Sequence, residues 1–82
     1  MNIAGVLVNS HPDHVDSVKR SLAAIHGVEV HAATPEGRII VIVDEDNLDT
    51  LADTFRCFHD LSGVLSAALV YHHFESDSAQ ES

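Results

Sequence analysis

The sequence predicts an α+β fold in which a strand–helix–strand unit occurs twice. The two halves align at a constant offset of 36 residues, so that Leu22 falls on Phe58 and Gly27 falls on Gly63. Each half contains an apolar run, then apolar residues at helical spacing, then a glycine, a valine and a second apolar run. Residues 34–37 form a turn signal between the halves. These features indicate a doubled βαβ unit, the ferredoxin-like βαββαβ plait.

In that plait, two helices cover one face of a four-stranded antiparallel sheet whose strand order is 4-1-3-2. We expect a single domain over residues 1–74, followed by a polar, disordered tail over residues 75–82. The chain has 82 residues, of which 45% are apolar, and this is enough for one small core. It contains no run long enough to cross a bilayer, so the sequence predicts no membrane insertion.

The net charge restricts the class of partner. Four basic residues stand against thirteen acidic ones, which gives a net charge of −9 with neutral histidines. Such a chain repels nucleic acid and anionic lipid, whereas it attracts a cationic partner. The charge could alternatively serve solubility alone. No secretory signal is visible and Cys57 is the only cysteine, so the sequence favours a cytoplasmic location.

The elements of the first half follow from its apolar pattern and its capping residues. Residues 3–9 are apolar without alternation, which is typical of a central strand buried on both faces. Ser10 is the expected N-cap of the first helix, and Pro12 fits the first turn. Gly27 is expected to end this helix in a left-handed conformation, and residues 28–33 form the second strand.

The second half repeats this order after the turn. Residues 38–44 are predicted to form the third strand, and Asp46 is the expected cap of the second helix. Gly63 ends that helix, and residues 64–73 form the last strand. The buried stripe of the second helix is predicted to consist of Leu48, Leu51, Phe55, Phe58 and Leu61.

The face on which each strand residue lies depends on the hairpin. Val28 and Val30 alternate with polar residues and are expected to face the helices. A type I turn that ends in a glycine bulge would pair Thr34 with Arg38. In this register the even-numbered residues of the third strand lie beneath the helices, and its odd-numbered residues, Val41 among them, lie on the uncovered face. A four-residue loop would reverse this assignment, because a slip of one residue moves every side chain to the other face.

The uncovered sheet face is expected to be apolar and therefore to bind a partner. A glycine within a strand, such as Gly5, is typical of close approach by another backbone, although it could also serve helix packing. A second copy of the chain could seal the same face instead. The residues predicted to bind a peptide are Gly5, Leu7, Val41, Leu65, Ala67, Leu69 and Tyr71. The carboxylates that could pair with arginines at the rim are Glu29, Asp44, Glu45 and Asp46.

The sequence offers little for catalysis or metal binding. His11 and His14 are three residues apart at a helix start, and a solvated or capping role explains them more simply than metal ligation. Cys57 has no Cys-x-x-Cys partner and no strongly basic surroundings, so it is expected to be a small buried or half-buried residue rather than a nucleophile. A phosphate-binding loop and a nucleophile elbow are both missing from the sequence. We therefore expect no enzyme, no cofactor and no metal site.

Three segments resemble the NapD family, and the resemblance covers roughly residues 3–75. They are Gly-Val-Glu-Val at 27–30, Thr-Pro-Glu-Gly-Arg-Ile-Ile-Val-Ile-Val at 34–43 and Gly-Val-Leu-Ser-Ala-Ala-Leu-Val-Tyr-His at 63–72, of which the last is the most specific. The resemblance implies a cytoplasmic maturation chaperone that binds the twin-arginine signal peptide of NapA, the catalytic subunit of the periplasmic nitrate reductase. It also implies that export is held back until the molybdenum cofactor and iron–sulfur cluster are in place.

The residues and the resemblance lead to one hypothesis with two competitors. In the main hypothesis, the apolar stretch of the signal peptide packs on the uncovered face, and the rim carboxylates receive its arginines. The first competitor is a small regulatory or homodimerisation domain whose face meets only its own copy, and a weak homodimer is also compatible with the main hypothesis. The second competitor is a metal carrier that uses His11 and His14.

Overall fold

The computed structural model describes residues 2–74, with side chains for residues 3–72. The elements in chain order are β1 (Asn2–Ser10), a short 3-10 turn (Pro12–His14), α1 (Val15–Ala23), β2 (Val28–Ala33), β3 (Arg38–Asp44), α2 (Leu48–Asp60) and β4 (Val64–Phe74). The strands form one antiparallel sheet in the order β2-β3-β1-β4, which confirms the predicted plait. The disordered tail predicted for residues 75–82 lies outside the described residues. Across residues 2–74, no helix is long and apolar enough to cross a membrane.

The core lies between the two helices and one face of the sheet. Val18 and Leu22 stand one turn apart on α1, so both point to the same side of that helix. Phe58 occupies the corresponding place on α2 and is fully buried. The buried apolar residues are Ala4, Val6, Val8, Val18, Leu22, Ile39, Val41, Val43 and Phe58.

Both helices begin differently from the sequence prediction. The side chain of Asn47, not that of Asp46, caps α2, because its Oδ1 accepts the backbone N–H groups of Asp49 at 2.8 Å and Thr50 at 3.1 Å. Ser10 does not cap α1. Its hydroxyl donates to the carbonyl of His11 at 3.1 Å, and a 3-10 turn separates it from the helix.

The hairpin between β2 and β3 has the predicted turn but not the predicted faces. The N–H of Thr34 donates to the carbonyl of Arg38 at 2.8 Å, as expected for a type I turn with a glycine bulge. However, β2 contains a second bulge at His31, where Val30 pairs with Val41 and Ala32 pairs with Ile40. The extra residue reverses the alternation of side chains between the two faces along β2. The assignment of residues to faces therefore cannot be carried from the turn to the far end of the strands by simple alternation.

The face assignment of β3 is therefore wrong in the sequence prediction. Val41 has no exposed surface and packs in the core, as do the other odd-numbered residues of the strand. Ile40 and Ile42 lie on the uncovered face instead. In β1, Val6 pairs with Val41 and both point toward the helices. The even-numbered residues of β1 therefore face the helices, and its odd-numbered residues lie on the uncovered face as predicted.

Two bulges in β4 also change the predicted alternation. The register shifts at Leu65 and at Val70, which leaves one unpaired residue at each position. Between the bulges, Ala67 pairs with Val8 and Leu69 pairs with Val6, so both lie on the helix side of the sheet and not on the uncovered face. Beyond the second bulge, Tyr71 returns to the uncovered face.

Candidate functional site

The uncovered side of the sheet, which we call the open face, has an apolar centre built from all four strands. One row of paired residues crosses the sheet from Glu29 through Ile42 and Gly5 to Tyr71. The next row consists of Ala32, Ile40, Leu7 and Ala68. Because neither α1 nor α2 packs on this side, the large side chains in both rows remain available to a partner.

Gly5 and Tyr71 form a pair in the middle of the open face. Gly5 is buried, and a Cβ built on it would lie 3.2 Å from the Cβ of Tyr71. The space above the glycine is therefore taken by the tyrosine of the same chain, and not left free for a guest backbone as the sequence analysis expected. Tyr71 keeps 54% of its surface exposed, so a partner on this face would meet its ring.

The two ends of the open face carry opposite charge. Glu29 pairs with Ile42, and Asp44 follows two residues later on the same side of β3, so both carboxylates lie at one corner, the carboxylate corner. Arg38 lies at the other end of β3, about 20 Å away at 3.3 Å per residue. Next to it, the Nδ2 of Asn9 donates to the Oγ of Ser66 at 3.0 Å. The face thus has an acidic end, an apolar centre, and a basic and polar end.

The structure divides the predicted peptide-binding residues into three groups. Gly5, Leu7 and Tyr71 lie together on the open face. Leu65 is a bulge residue at the start of β4 and is 60% exposed. The predicted residues that lie on the helix side of the sheet are Val41, Ala67 and Leu69.

Sequence reasoning missed the two isoleucines of the open face, Ile40 and Ile42. No signal in β3 could have identified them, because residues 39–43 are apolar without interruption and carry no alternation. Of the predicted rim, Glu29 and Asp44 belong to the carboxylate corner. Glu45 and Asp46 follow in the loop before α2, where the Glu45 carboxylate accepts the N–H of Asn47 at 3.3 Å.

A second apolar surface lies on the opposite side of the sheet, between α2 and the edge strand β4. It is a groove of about 210 Å³ with Leu48 on one wall and Leu69 on the other, each 52% exposed. The residues that line it are Ala4, Val6, Val43, Leu48, Leu51, Ala52, Phe55, Leu69 and His72.

Within residues 3–72, whose side chains the structure describes, the histidines and the cysteine do not assemble into a reactive or metal-binding group. The rings of His11 and His14 are 5.9 Å apart, and no cluster of three or more potential ligands exists among the residues that the structure describes. Cys57 is exposed on α2, more so than the sequence analysis expected.

Comparison with known proteins assigns the family. A family model described as NapD protein matches residues 1–76. The chain belongs to the NapD family. It is 28% identical over 79 residues to Chaperone NapD of Escherichia coli K12, covering 95% of this chain and 91% of the relative. Chaperone NapD of Haemophilus influenzae is 24% identical over 72 residues, covering 87% and 77% respectively.

Two solved structures share the fold of this chain. The solution structure of the E. coli Tat proofreading chaperone protein NapD superposes with a TM-score of 0.80 at 27% identity, covering 98% of this chain and 84% of that one. A Thermus thermophilus protein has the same fold, with a TM-score of 0.78 at 22% identity and coverage of 93% and 96%. As a NapD-family member, the chain is a chaperone and not an enzyme, and a chaperone acts on a partner protein.

Proposed function

We propose that this NapD-family chain binds the twin-arginine signal peptide of the nitrate reductase catalytic subunit NapA on its open face. Binding takes place in the cytoplasm and delays export until the cofactors of the subunit have been inserted. The observation that carries the proposal is an uncovered apolar sheet face with two carboxylates at one corner. The description of the E. coli relative as a Tat proofreading chaperone supports it.

The chemistry of such a peptide matches the charge order of the face. A twin-arginine signal peptide carries an arginine pair followed by an apolar stretch. The arginines would pair with Glu29 and Asp44, and the apolar stretch would run over Ile42 and Leu7 toward Arg38. A helix rises 1.5 Å per residue, so a face about 20 Å long holds roughly 13 helical residues.

Apolar contact supplies most of the binding free energy in this arrangement. Burying about 500 Å² of apolar surface is worth roughly 12 kcal/mol before costs, at about 25 cal/mol per Å². Loss of translational freedom and ordering of the peptide offset much of that amount. Pairing of arginines at the solvent-exposed corner acts mainly on the association rate and on specificity.

A matched pair of variants tests the location of the site. Tyr71→Ser removes an open-face side chain that is 54% exposed, and Leu48→Ser removes one on the helix side that is 52% exposed. We expect Tyr71→Ser to weaken binding of a synthetic twin-arginine peptide about tenfold, whereas Leu48→Ser changes it less than about twofold, as measured by calorimetry. Equal effects of the two variants, or amide shifts confined to α1 and α2 in a titration of labelled protein, would contradict the proposal.

The same face could instead join two copies of the chain. Sedimentation with and without the peptide distinguishes the two functions, because a homodimerisation domain would sediment as a dimer and would not bind the peptide. A monomer, or a weak dimer that dissociates as the peptide is added, agrees with the proposal.

A further inference from the structure

Three hydrogen-bonding side chains form a row across the end of the open face that lies opposite the carboxylate corner. Asn9 of β1 pairs with Arg38 of β3 on one side and with Ser66 of β4 on the other. Asn9 follows Gly5 and Leu7 at intervals of two residues along β1, so the row shares their face of the sheet. We call these three residues the donor row.

The donor row retains hydrogen-bond donors for a partner. The exposed guanidinium of Arg38 makes no ion pair among the side chains of residues 3–72, whereas the guanidinium of Arg56 pairs with Asp53. The exposed Ser66 hydroxyl accepts the Nδ2 of Asn9 at 3.0 Å, so its own proton can still be donated. The row therefore presents a positive charge and a hydroxyl donor on either side of Asn9.

These groups suit a carboxylate. A guanidinium carries five N–H donors in one plane and can bind both oxygens of a carboxylate at once. Neighbouring strands lie about 4.8 Å apart, so a carboxylate above Asn9 would be within reach of both Arg38 and Ser66. A cationic group at the same place would instead be repelled by Arg38.

The two ends of the open face together suit a segment with a positive and a negative end. The carboxylate corner attracts the positive end, and Arg38 lies about 20 Å away along β3. A helix of roughly 13 residues spans that distance at 1.5 Å per residue. Binding in the opposite direction would bring the positive end to Arg38, and this repulsion disfavours it.

We propose that the donor row is a carboxylate-binding subsite and that Arg38 is its specificity-determining residue. The subsite selects segments in which aspartate or glutamate follows the arginine pair by about 13 helical residues. This inference rests on the proposed function, because it assigns the donor row to the far end of the same bound peptide.

Two pairs of synthetic peptides test the subsite. In the long pair, an arginine pair is followed by 13 helix-forming apolar residues and then by glutamate or glutamine. In the short pair, seven apolar residues stand between the arginines and the same final residue. Both termini of every peptide are blocked, so the glutamate side chain supplies its carboxylate. Binding to the full chain is measured by calorimetry at low salt.

Matched variants of the chain remove one positive charge each. Arg38→Gln removes it from the donor row, whereas Arg20→Gln removes it from an exposed position of α1, on the helix side of the sheet. The net charge of −9 favours the glutamine peptides, which are the more positive ones. A preference for glutamate would therefore identify a local positive site.

We expect the unsubstituted chain to bind the long glutamate peptide about threefold more tightly than the long glutamine peptide. Arg38→Gln should abolish or reverse this preference, and Arg20→Gln should keep it. The short pair should show no preference for glutamate, because its carboxylate stops about 9 Å before the donor row.

Tyr71→Ser separates this inference from the proposed function, because it should weaken both long peptides equally and leave their ratio unchanged. If it weakens both, but the glutamate preference is absent or persists in Arg38→Gln, the carboxylate subsite is refuted and the proposed function stands. An equal glutamate preference in the short pair also refutes the subsite. If neither long peptide binds, or if Tyr71→Ser leaves both unaffected, the proposed site and the subsite are both refuted.

Discussion

Gly37 closes the hairpin and also contacts the end of β1. Its φ of +107° lies in a region that side chains with a Cβ rarely adopt. Its carbonyl accepts the N–H of Ser10 at 2.7 Å, and a Cβ built on it would lie 2.1 Å from the carbonyl oxygen of Ser10. The residue therefore fixes the turn and the distance between the turn and β1.

Replacing Gly37 should lower the free energy of unfolding more than replacing its neighbour Glu36. Gly37→Ala is expected to lower the free energy of unfolding by about 3 kcal/mol, because both the backbone strain and the clash with Ser10 must be relieved. Glu36→Ala, at an exposed position of the same turn, should change it by less than about 0.5 kcal/mol. Urea unfolding measures both values. Similar stabilities of the two variants would contradict this account of Gly37.

At the scale of the element, the start of α2 depends on one side chain. Asn47 satisfies two of the N–H groups that a helix leaves unpaired at its first turn. Asn47→Ala should lower the free energy of unfolding by about 1 kcal/mol, whereas Asn47→Ser should recover most of it, since a serine hydroxyl can also cap. Urea midpoints of both variants and of the unsubstituted chain compare these costs, and an Asn47→Ala midpoint equal to that of the unsubstituted chain would show that the cap contributes little.

The bulge at His31 decides which residues of β2 and β3 share a face. Deleting His31 would let Val30, Ala32 and Ala33 alternate regularly while their partners on β3 stay the same. This deletion is expected to leave a folded domain whose free energy of unfolding changes by about 1 kcal/mol or less.

The matched control deletes Ile40 instead. That residue lies in a central strand that pairs on both sides, so its loss moves part of β3 to the wrong face and should prevent cooperative folding. Thermal unfolding followed by circular dichroism distinguishes the two deletions. Loss of the folded state in both would mean that the bulge itself is needed for folding.

At the scale of the whole molecule, the net negative charge attracts a cationic peptide, and its uneven distribution over the open face directs that peptide to one end. The carboxylate corner should steer a twin-arginine peptide, and salt screens such steering. Glu29→Gln combined with Asp44→Asn is expected to reduce the association rate about threefold to tenfold at low salt and to weaken its dependence on salt.

This prediction depends on where the removed carboxylates lie and not on how many charges are removed. Glu36→Gln combined with Asp60→Asn removes the same number of charges at sites outside the carboxylate corner, and it should leave the rate within about twofold. Stopped-flow fluorescence with a labelled peptide at low and high sodium chloride measures these rates. Equal slowing by both pairs would indicate general attraction without a defined corner.

The amino-acid sequence was enough to predict the elements, their order and the family. Helical spacing, the turn at 34–37 and the glycines that end both helices are local signals, and the plait follows from their order along the chain. The capping residues were less well predicted, since Asp46 and Asn47 are adjacent and both suit an N-cap. The open face was expected to be apolar, and Leu7 and Tyr71 were placed on it correctly.

Which side chains make up each apolar surface depends on tertiary contacts that the sequence pattern does not reveal. Residues 39–43 are apolar throughout, so their pattern carries no face information, and the repeat could not supply it. The faces are set by bulges at His31, Leu65 and Val70, and these form where strands distant in sequence pair with each other. One unpaired residue reverses every position beyond it. That is why Val41 belongs to the core, why Leu69 belongs to a groove on the helix side, and why Tyr71, after a second reversal, lies on the open face.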